Sequence, residues 1–230
     1  SFTIAVNELI AGAASSLDYL AVQDLNEQSK MIQINATEVD CDGNAKGFIL
    51  NIGGGWARNE SLSKLVGAGA NSDMLSLSIP GKTQEYDQRT FQHHQVEHTT
   101  SDLLYKNSLY DTSRTVFSGL IFVDEGAHHT DAYQTCRNLL MSQTVEANSM
   151  PGLEINADQV KCSHGSTSAQ ISDEEIYYLR ARGIDPITSR QLIARGFNVE
   201  VVERLGDEAL ESLALSYVDR KFDRLVTHGA

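Results

Sequence analysis

The stretch VKCSHGSTS at residues 160–168 sets Cys162 and His164 two positions apart, in a chain with three cysteines and seven histidines. Residues i and i+2 of a strand face the same side, so a thiol and an imidazole there could ligate one metal centre jointly. Packing is the competing use, because an unpaired cysteine behaves as a small hydrophobe. A catalytic dyad is the third, but it needs a base placed against the thiol in space rather than two residues along a strand. Five more histidines cluster in QHHQVEH (His93, His94, His98) and GAHHTD (His128, His129). Metal centres need several convergent ligands of this kind. Neighbours on a strand point to opposite faces, so at most one of His93 and His94 can join His98. These residues define an alternative, a metal-dependent enzyme on an all-β scaffold using His93, His98 and either His128 or His129. Solvent-facing and turn histidines are the plainer reading.

Other chemistries find no support. The glycines of IGGGW at Ile52 and IPGKT at Ile79 invite a phosphate loop, yet the residue five positions before Gly81 is Ser76, where that motif requires glycine. No Gly-x-Ser-x-Gly elbow occurs. The formal net charge of −13 opposes binding to nucleic acid or anionic membranes, which calls for clustered Lys and Arg. No run of 18 apolar residues occurs and the first residues show no signal-peptide pattern. Three cysteines without Cys-x-x-Cys spacing suit a reducing compartment, cytoplasmic or, in a eukaryote, plastid stromal.

The elements that must position these residues follow from hydrophobic period. Up to about Ser172 apolar residues alternate, as in Ile32 and Ile34, Leu50 and Ile52, Leu75, Leu77 and Ile79, and Leu153 and Ile155. Period two marks half-buried strands. Small, polar and Gly-rich clusters separate them at 11, 40, 67, 124 and 162, each reading as a turn. Apolar residues before the turns, at Ile10, Val39, Val66 and Val96, are 29, 27 and 30 residues apart. A recurrence of that length suits a solenoid whose coils each carry two or more strands; a β-sandwich would show the same alternation.

After Ser172 the period becomes helical. Ser172 with Glu175 forms a capping-box pattern and Gly183 a stop. Asp185 before Pro186 starts a second helix expected to run to Gly196, Asn198 opens a short third ending at Gly206, and Asp207 starts a fourth. In the fourth, Leu210, Leu213, Ala214, Tyr217 and Val218 form an apolar stripe. The division predicted is 1–172 for the β core and 173–230 for a helical domain.

The run EINADQVKCSHGSTSAQISDEEIYYLRARGI, from Glu154 to Ile184, resembles the SufB/SufD family of the SUF iron-sulfur cluster assembly system. The likeness continues upstream in HHQVEHTTSDLLYKNSLYDTSRTVFSGLIFV and TDAYQTCRNLLMS. It falls on the SufD side, because SufB typically reads Glu-His-Glu-Ala-Thr where this chain has Ser163-His164-Gly165-Ser166-Thr167.

The resemblance implies a right-handed parallel β-helix followed by a small C-terminal α-helical domain, mainly β overall. It implies a non-catalytic scaffold subunit that pairs with SufB through the β-helix and docks the SufC ATPase through its C-terminal helices. His164 matches the family histidine implicated at that interface as a ligand of the nascent, transient iron-sulfur cluster, and Cys162 matches the neighbouring cysteine. Leu192 and Phe197 fall in the expected SufC-docking region. Cys136 and Cys41 inherit no role. The resemblance also implies that earlier coils and an N-terminal helical segment are missing here, that a homodimer could cover the exposed edges of an isolated chain, and that such a chain holds no tightly bound metal.

Overall fold

A computed structural model describes residues 1–226. Twelve strands alternate between two parallel sheets, one strand of each coil in each sheet. The first sheet takes β1 (Phe2–Ala11), β3 (Lys30–Val39), β5 (Trp56–Leu65), β7 (Glu85–His94), β9 (Arg114–Val123) and β11 (Glu146–Ile155) in that order. The second takes β2 (Ser16–Gln23), β4 (Asn44–Asn51), β6 (Asn71–Ser78), β8 (Thr100–Leu109), β10 (Asp131–Leu140) and β12 (Lys161–Gln170). All neighbouring strands run parallel, so the chain is a β-solenoid. The coil is less regular than the apolar markers suggested. Register partners lie 26 residues apart at Lys30 and Trp56 but 32 apart at Arg114 and Glu146, because the corners absorb the difference.

One corner repeats a left-handed backbone position in coil after coil: Ala14, Asp42, Gly69, His98, His129 and Gln159, with φ between 51° and 75°. The N–H groups of the first five donate to the next coil along the solenoid axis, His98 to the His128 carbonyl at 2.9 Å and His129 to the Gln159 carbonyl at 3.2 Å. Asp and His tolerate positive φ better than most residues, which accounts for histidines at two of these corners. The CSHGSTS stretch is not a turn. It lies within β12, paired with β10 along its whole length, so tertiary pairing overrides the local turn chemistry of small polar residues.

The first and second helices carry the caps the sequence announces. Ser172 and Glu175 form the capping box of α1 (Asp173–Arg180), and the Asp185 carboxylate accepts from the N–H groups of Ile187 and Thr188 at the start of α2 (Pro186–Val202). Here the structure corrects the sequence reading, since α2 passes through Gly196 and absorbs the expected third helix. No neighbour crowds Gly196, and Asn198 is buried as the acceptor of a 2.6 Å bond from Ser108 on β8. That tertiary anchor outweighs the local cost of glycine and asparagine in a helix. A 3-10 turn (Glu203–Leu205) and Gly206, at φ 70°, end the segment before α3 (Glu208–Val226). The four expected helices are therefore three. Residues 227–230 of the expected helical domain lie outside the described residues.

Helices α2 and α3 cover the outer face of the second sheet. Phe48, Leu50, Leu75, Leu77 and Leu104 pack there against Val201, Val202, Leu205, Ala214 and Val218. Leu213 leaves the predicted stripe and faces solvent. Inside the solenoid the filling is partly polar, with Gln33, Asn59, Gln88, Gln92, His94 and Gln134 all buried.

Candidate functional site

The last coil ends the stack among the described residues: β11 and β12 each have a neighbour on one side only. Inward and outward rows follow from register. Ala132, Gln134, Cys136 and Asn138 of β10 are buried in the lumen, and they pair with Cys162, His164, Ser166 and Ser168. Paired residues of neighbouring parallel strands point the same way, so this row of β12 faces the lumen axis. It has no further coil above it, which leaves His164 exposed although it sits on an inward-facing row. The structure thus brings Cys162 and His164 to one face at the open end of the solenoid.

The two side chains differ in availability. Cys162 is half-buried, packed against the cluster of Ile121, Val123, Ala127 and Ala132. Burial, helped by the Asp131 carboxylate, pushes its thiol pKa up, so any metal ion would have to displace a proton to bind the sulfur. His164 offers an imidazole at the surface, and no hydrogen bond engages it among the described residues. Cys136 is fully buried, with burial raising its thiol to about 11, and Cys41 is exposed at a corner. The thiol and imidazole of this row suit an iron centre completed from outside the chain.

The other histidines do not converge. His93 projects outward between Phe91 and Phe122, with Nε2 2.9 Å from the Asp124 carboxylate. His98 stacks on His129 at the corner, ring centroids 4.7 Å apart, and the His128 Nδ1 lies 3.0 Å from the Asp158 carbonyl. No group of three His, Cys, Asp or Glu residues able to hold a metal occurs among the described residues. The metal-enzyme alternative on His93, His98 and His128 or His129 loses its geometric basis.

His94, on the opposite side of β7 from His93, is fully buried, with Nδ1 2.8 Å from Thr99 Oγ1 and Nε2 2.8 Å from Ser101 Oγ. Burial first, then nearby His93, lowers its pKa to about 4. The unfolded chain therefore binds a proton near pH 6.5 that the folded chain refuses until about pH 4. Stability should be complete above about 6.5 and fall as the pH drops towards 4, by at most about 1.4 kcal/mol per pH unit. Urea melts at pH 7, 6 and 5 check this, and His94→Gln should flatten that part of the profile.

On the helical side, Leu192 is 47% exposed. It lines a groove of about 610 Å3 between α2 and α3 with Thr188, Gln191, Arg195, Asp219, Phe222 and Asp223. Phe197 sits differently. It is half-buried against Leu139, Ile171 and Ala194, and the Lys106 ammonium lies 4.2 Å from its ring centroid. That ammonium also donates to the Phe197 carbonyl at 2.8 Å and pairs with Glu200, which Arg137 reaches at 3.1 Å. Lys106 on β8 and Arg137 on β10 thus pin α2 to the sheet that ends in β12. No local pattern announces these residues, because Lys106 and Glu200 stand 94 positions apart.

Sequence comparison sets this chain among known proteins. The sequence model of a family described as SUF system FeS cluster assembly, SufBD core domain, matches residues 1–197. The iron-sulfur cluster assembly protein SufD of Escherichia coli is 39% identical over 170 residues, 74% of this chain and 40% of that protein. A SufBD family protein of Synechocystis is 28% identical over 204 residues, 89% of this chain and 45% of the relative. A chloroplastic protein of Arabidopsis thaliana, ABCI7, is 34% identical over 109 residues, 47% of this chain and 23% of its own length. The chain spans less than half the length of these relatives. Among the described residues no helix is long and apolar enough to cross a membrane.

Proposed function

The chain belongs to the SufBD core family of the SUF iron-sulfur cluster assembly system, and from that premise we propose that it is a non-catalytic scaffold subunit. Its solenoid pairs with SufB, its helices dock the SufC ATPase, and His164, with Cys162 beside it, contributes ligands to a nascent cluster shared with SufB. The cluster is cargo, assembled at the interface and passed on. The cytoplasm, or the plastid stroma in a plant, is the compartment that fits three unpaired cysteines.

The observation that carries the pairing is the free edge of β12. Its ten residues, KCSHGSTSAQ, hold a single Lys or Glu-type charge, at Lys161, and no proline. Long edges without charge, proline or a bulge invite another strand. The neighbouring edge, β11, carries Pro151 and acidic Glu146 and Glu154, so β12 is the better pairing surface, and it is the strand that bears Cys162 and His164. A homodimer would use the same edge when SufB is absent.

Tagged full-length chain co-expressed with SufB and SufC tests this. Both partners should co-purify, and Ser166→Pro, which interrupts the edge of β12, should reduce SufB while leaving SufC in place. Equal recovery of SufB with this variant would refute pairing through β12.

A further inference from the structure

Helix α3 closes over one corner of the solenoid, where the chain passes from β2 to β3, from β4 to β5 and from β6 to β7. The approach is tight at Gly81: a Cβ there would stand 2.5 Å from Leu225 Cδ2, so a side chain would lift the helix. Beside that contact lies a cavity of about 540 Å3, lined by Glu27, Gly53, Lys82, Gln84, Lys221 and Arg224 among others. Its cations are not alike. Lys82 pairs with Glu27 at 2.7 Å and Arg224 with Asp24 at 2.8 Å. Lys221 is only 6% exposed, and among the described residues its Nζ meets one neutral acceptor, Gln84 Oε1 at 2.7 Å, and no carboxylate. That amide is itself fixed, its Oε1 accepting from the Gly81 N–H at 2.9 Å and its Nε2 donating to the Gly54 carbonyl. Lys106, the other buried lysine, differs, because its ammonium meets the Glu200 carboxylate, the Phe197 carbonyl and the Phe197 ring.

We propose that Lys221 is a modification site, a nucleophilic amine at the wall of this cavity that takes an acyl group from a small acyl phosphate. A buried ammonium held by a neutral oxygen gives up its proton readily, because desolvation disfavours the charge and no paired carboxylate offsets it. Burial first, then the Arg224 guanidinium, lowers the Lys221 pKa to about 8; Lys82 adds to the lowering, while Glu27 and Asp24 oppose it. A desolvated amine beside a second cation is a common setting for a nucleophilic lysine. Three of the four charged residues lining the cavity are cations, which favours an anionic donor, and an acyl phosphate joins that charge to a reactive carbonyl. In the step, the neutral amine attacks the acyl carbon and a C–N bond forms. The bond from that carbon to the phosphate oxygen breaks, and inorganic phosphate leaves with the electron pair and takes up the surplus proton of the nitrogen. The amide formed keeps an N–H to donate to Gln84, and the buried charge is gone. This proposal is independent of the cluster reading of His164.

The test incubates the full chain with acetyl phosphate and follows each lysine by peptide mass spectrometry. At about pH 7.5 roughly a quarter of the Lys221 side chains carry the neutral amine, against about one in a thousand for an exposed lysine. Lower basicity and narrower access remove part of that advantage, so Lys221 should be acetylated about tenfold faster than the exposed Lys30, Lys64 and Lys161. Its rate should level off above about pH 8, whereas theirs should climb about tenfold per pH unit to about pH 10. Lys221→Arg should remove the fast reaction and leave the exposed lysines unchanged. In concentrated urea all these amines should react alike. A Lys221 rate equal to or below that of the exposed lysines in the folded chain overturns the proposal. So does a preference that persists in urea, because its cause would then be local sequence rather than the cavity.

Discussion

In the complex co-expressed with SufB and SufC, His164→Ala is expected to lose its iron and acid-labile sulfide while all three subunits still co-purify. The side chain is exposed on the terminal row and engages no hydrogen bond among the described residues, so its removal opens no cavity. Exposed substitutions of this kind usually change stability by about 0.5 kcal/mol or less. The β12 edge proposed to pair with SufB is made of backbone N–H and carbonyl groups and survives the change. The loss should therefore be chemical: one nitrogen ligand fewer at an iron centre. Cys162→Ala is expected to do less, because burial and Asp131 already hold its thiol protonated. Iron and sulfide per complex, measured anaerobically, separate the two variants. Full cluster content in His164→Ala would leave β12 an architectural edge without a ligand role.

The second large effect concerns the ATPase. Leu192→Asp should abolish recovery of SufC while leaving SufB bound. Leu192 is the exposed apolar residue of the groove between α2 and α3, flanked by Arg195 and Asp219, whose 3.1 Å ion pair bridges the two helices. Apolar anchors in such grooves carry about 2 kcal/mol or more of binding free energy, about thirtyfold in affinity, and a carboxylate at that spot adds desolvation cost. Because Leu192 contributes little to the shared core, thermal unfolding should move by only a few degrees. Phe197 is the poorer probe, since its ring packs under Lys106 and against Leu139. Phe197→Ala would loosen α2 itself, and any loss of SufC would not report docking alone. Retained SufC with Leu192→Asp would move the docking surface elsewhere, with the exposed Tyr177 and Ile187 next to be tested.

The same pins give the helices a mechanical connection to the site. Glu200 on α2 joins Lys106 of β8 and Arg137 of β10, and β10 is the strand that holds β12 in register. Displacement of α2 by a docked ATPase would therefore be felt first at the strands beneath His164.

Much of this architecture is legible in the sequence. Alternation of apolar residues marks a half-buried strand because side chains of a strand alternate faces, and the change of period at Ser172 coincides with the capping box found there. The parallel solenoid and the family were legible in the residues from Glu154 to Ile184. What local pattern could not carry was decided by partners far away in sequence. The helix break at Gly196 and Asn198 vanished because Ser108 binds Asn198. The turn expected at Cys162 became a strand because β10 pairs with it from end to end. The histidine cluster dissolved because two of its members occupy left-handed corners and one faces outward. Spacing placed Cys162 and His164 on one face, but only the register revealed that this face looks into the open end of the lumen, with Gln134 beneath it.

The most direct test of the central claim is pulsed electron paramagnetic resonance on the reduced complex, assembled anaerobically from this full-length subunit carrying ring-15N histidine and unlabelled SufB and SufC. If His164 is a ligand, the paramagnetic cluster will show hyperfine coupling to 15N that disappears with His164→Ala. A spectrum indifferent to the label, recorded on a complex that contains its full complement of iron and sulfide, would contradict the claim that this subunit supplies a ligand to the cluster.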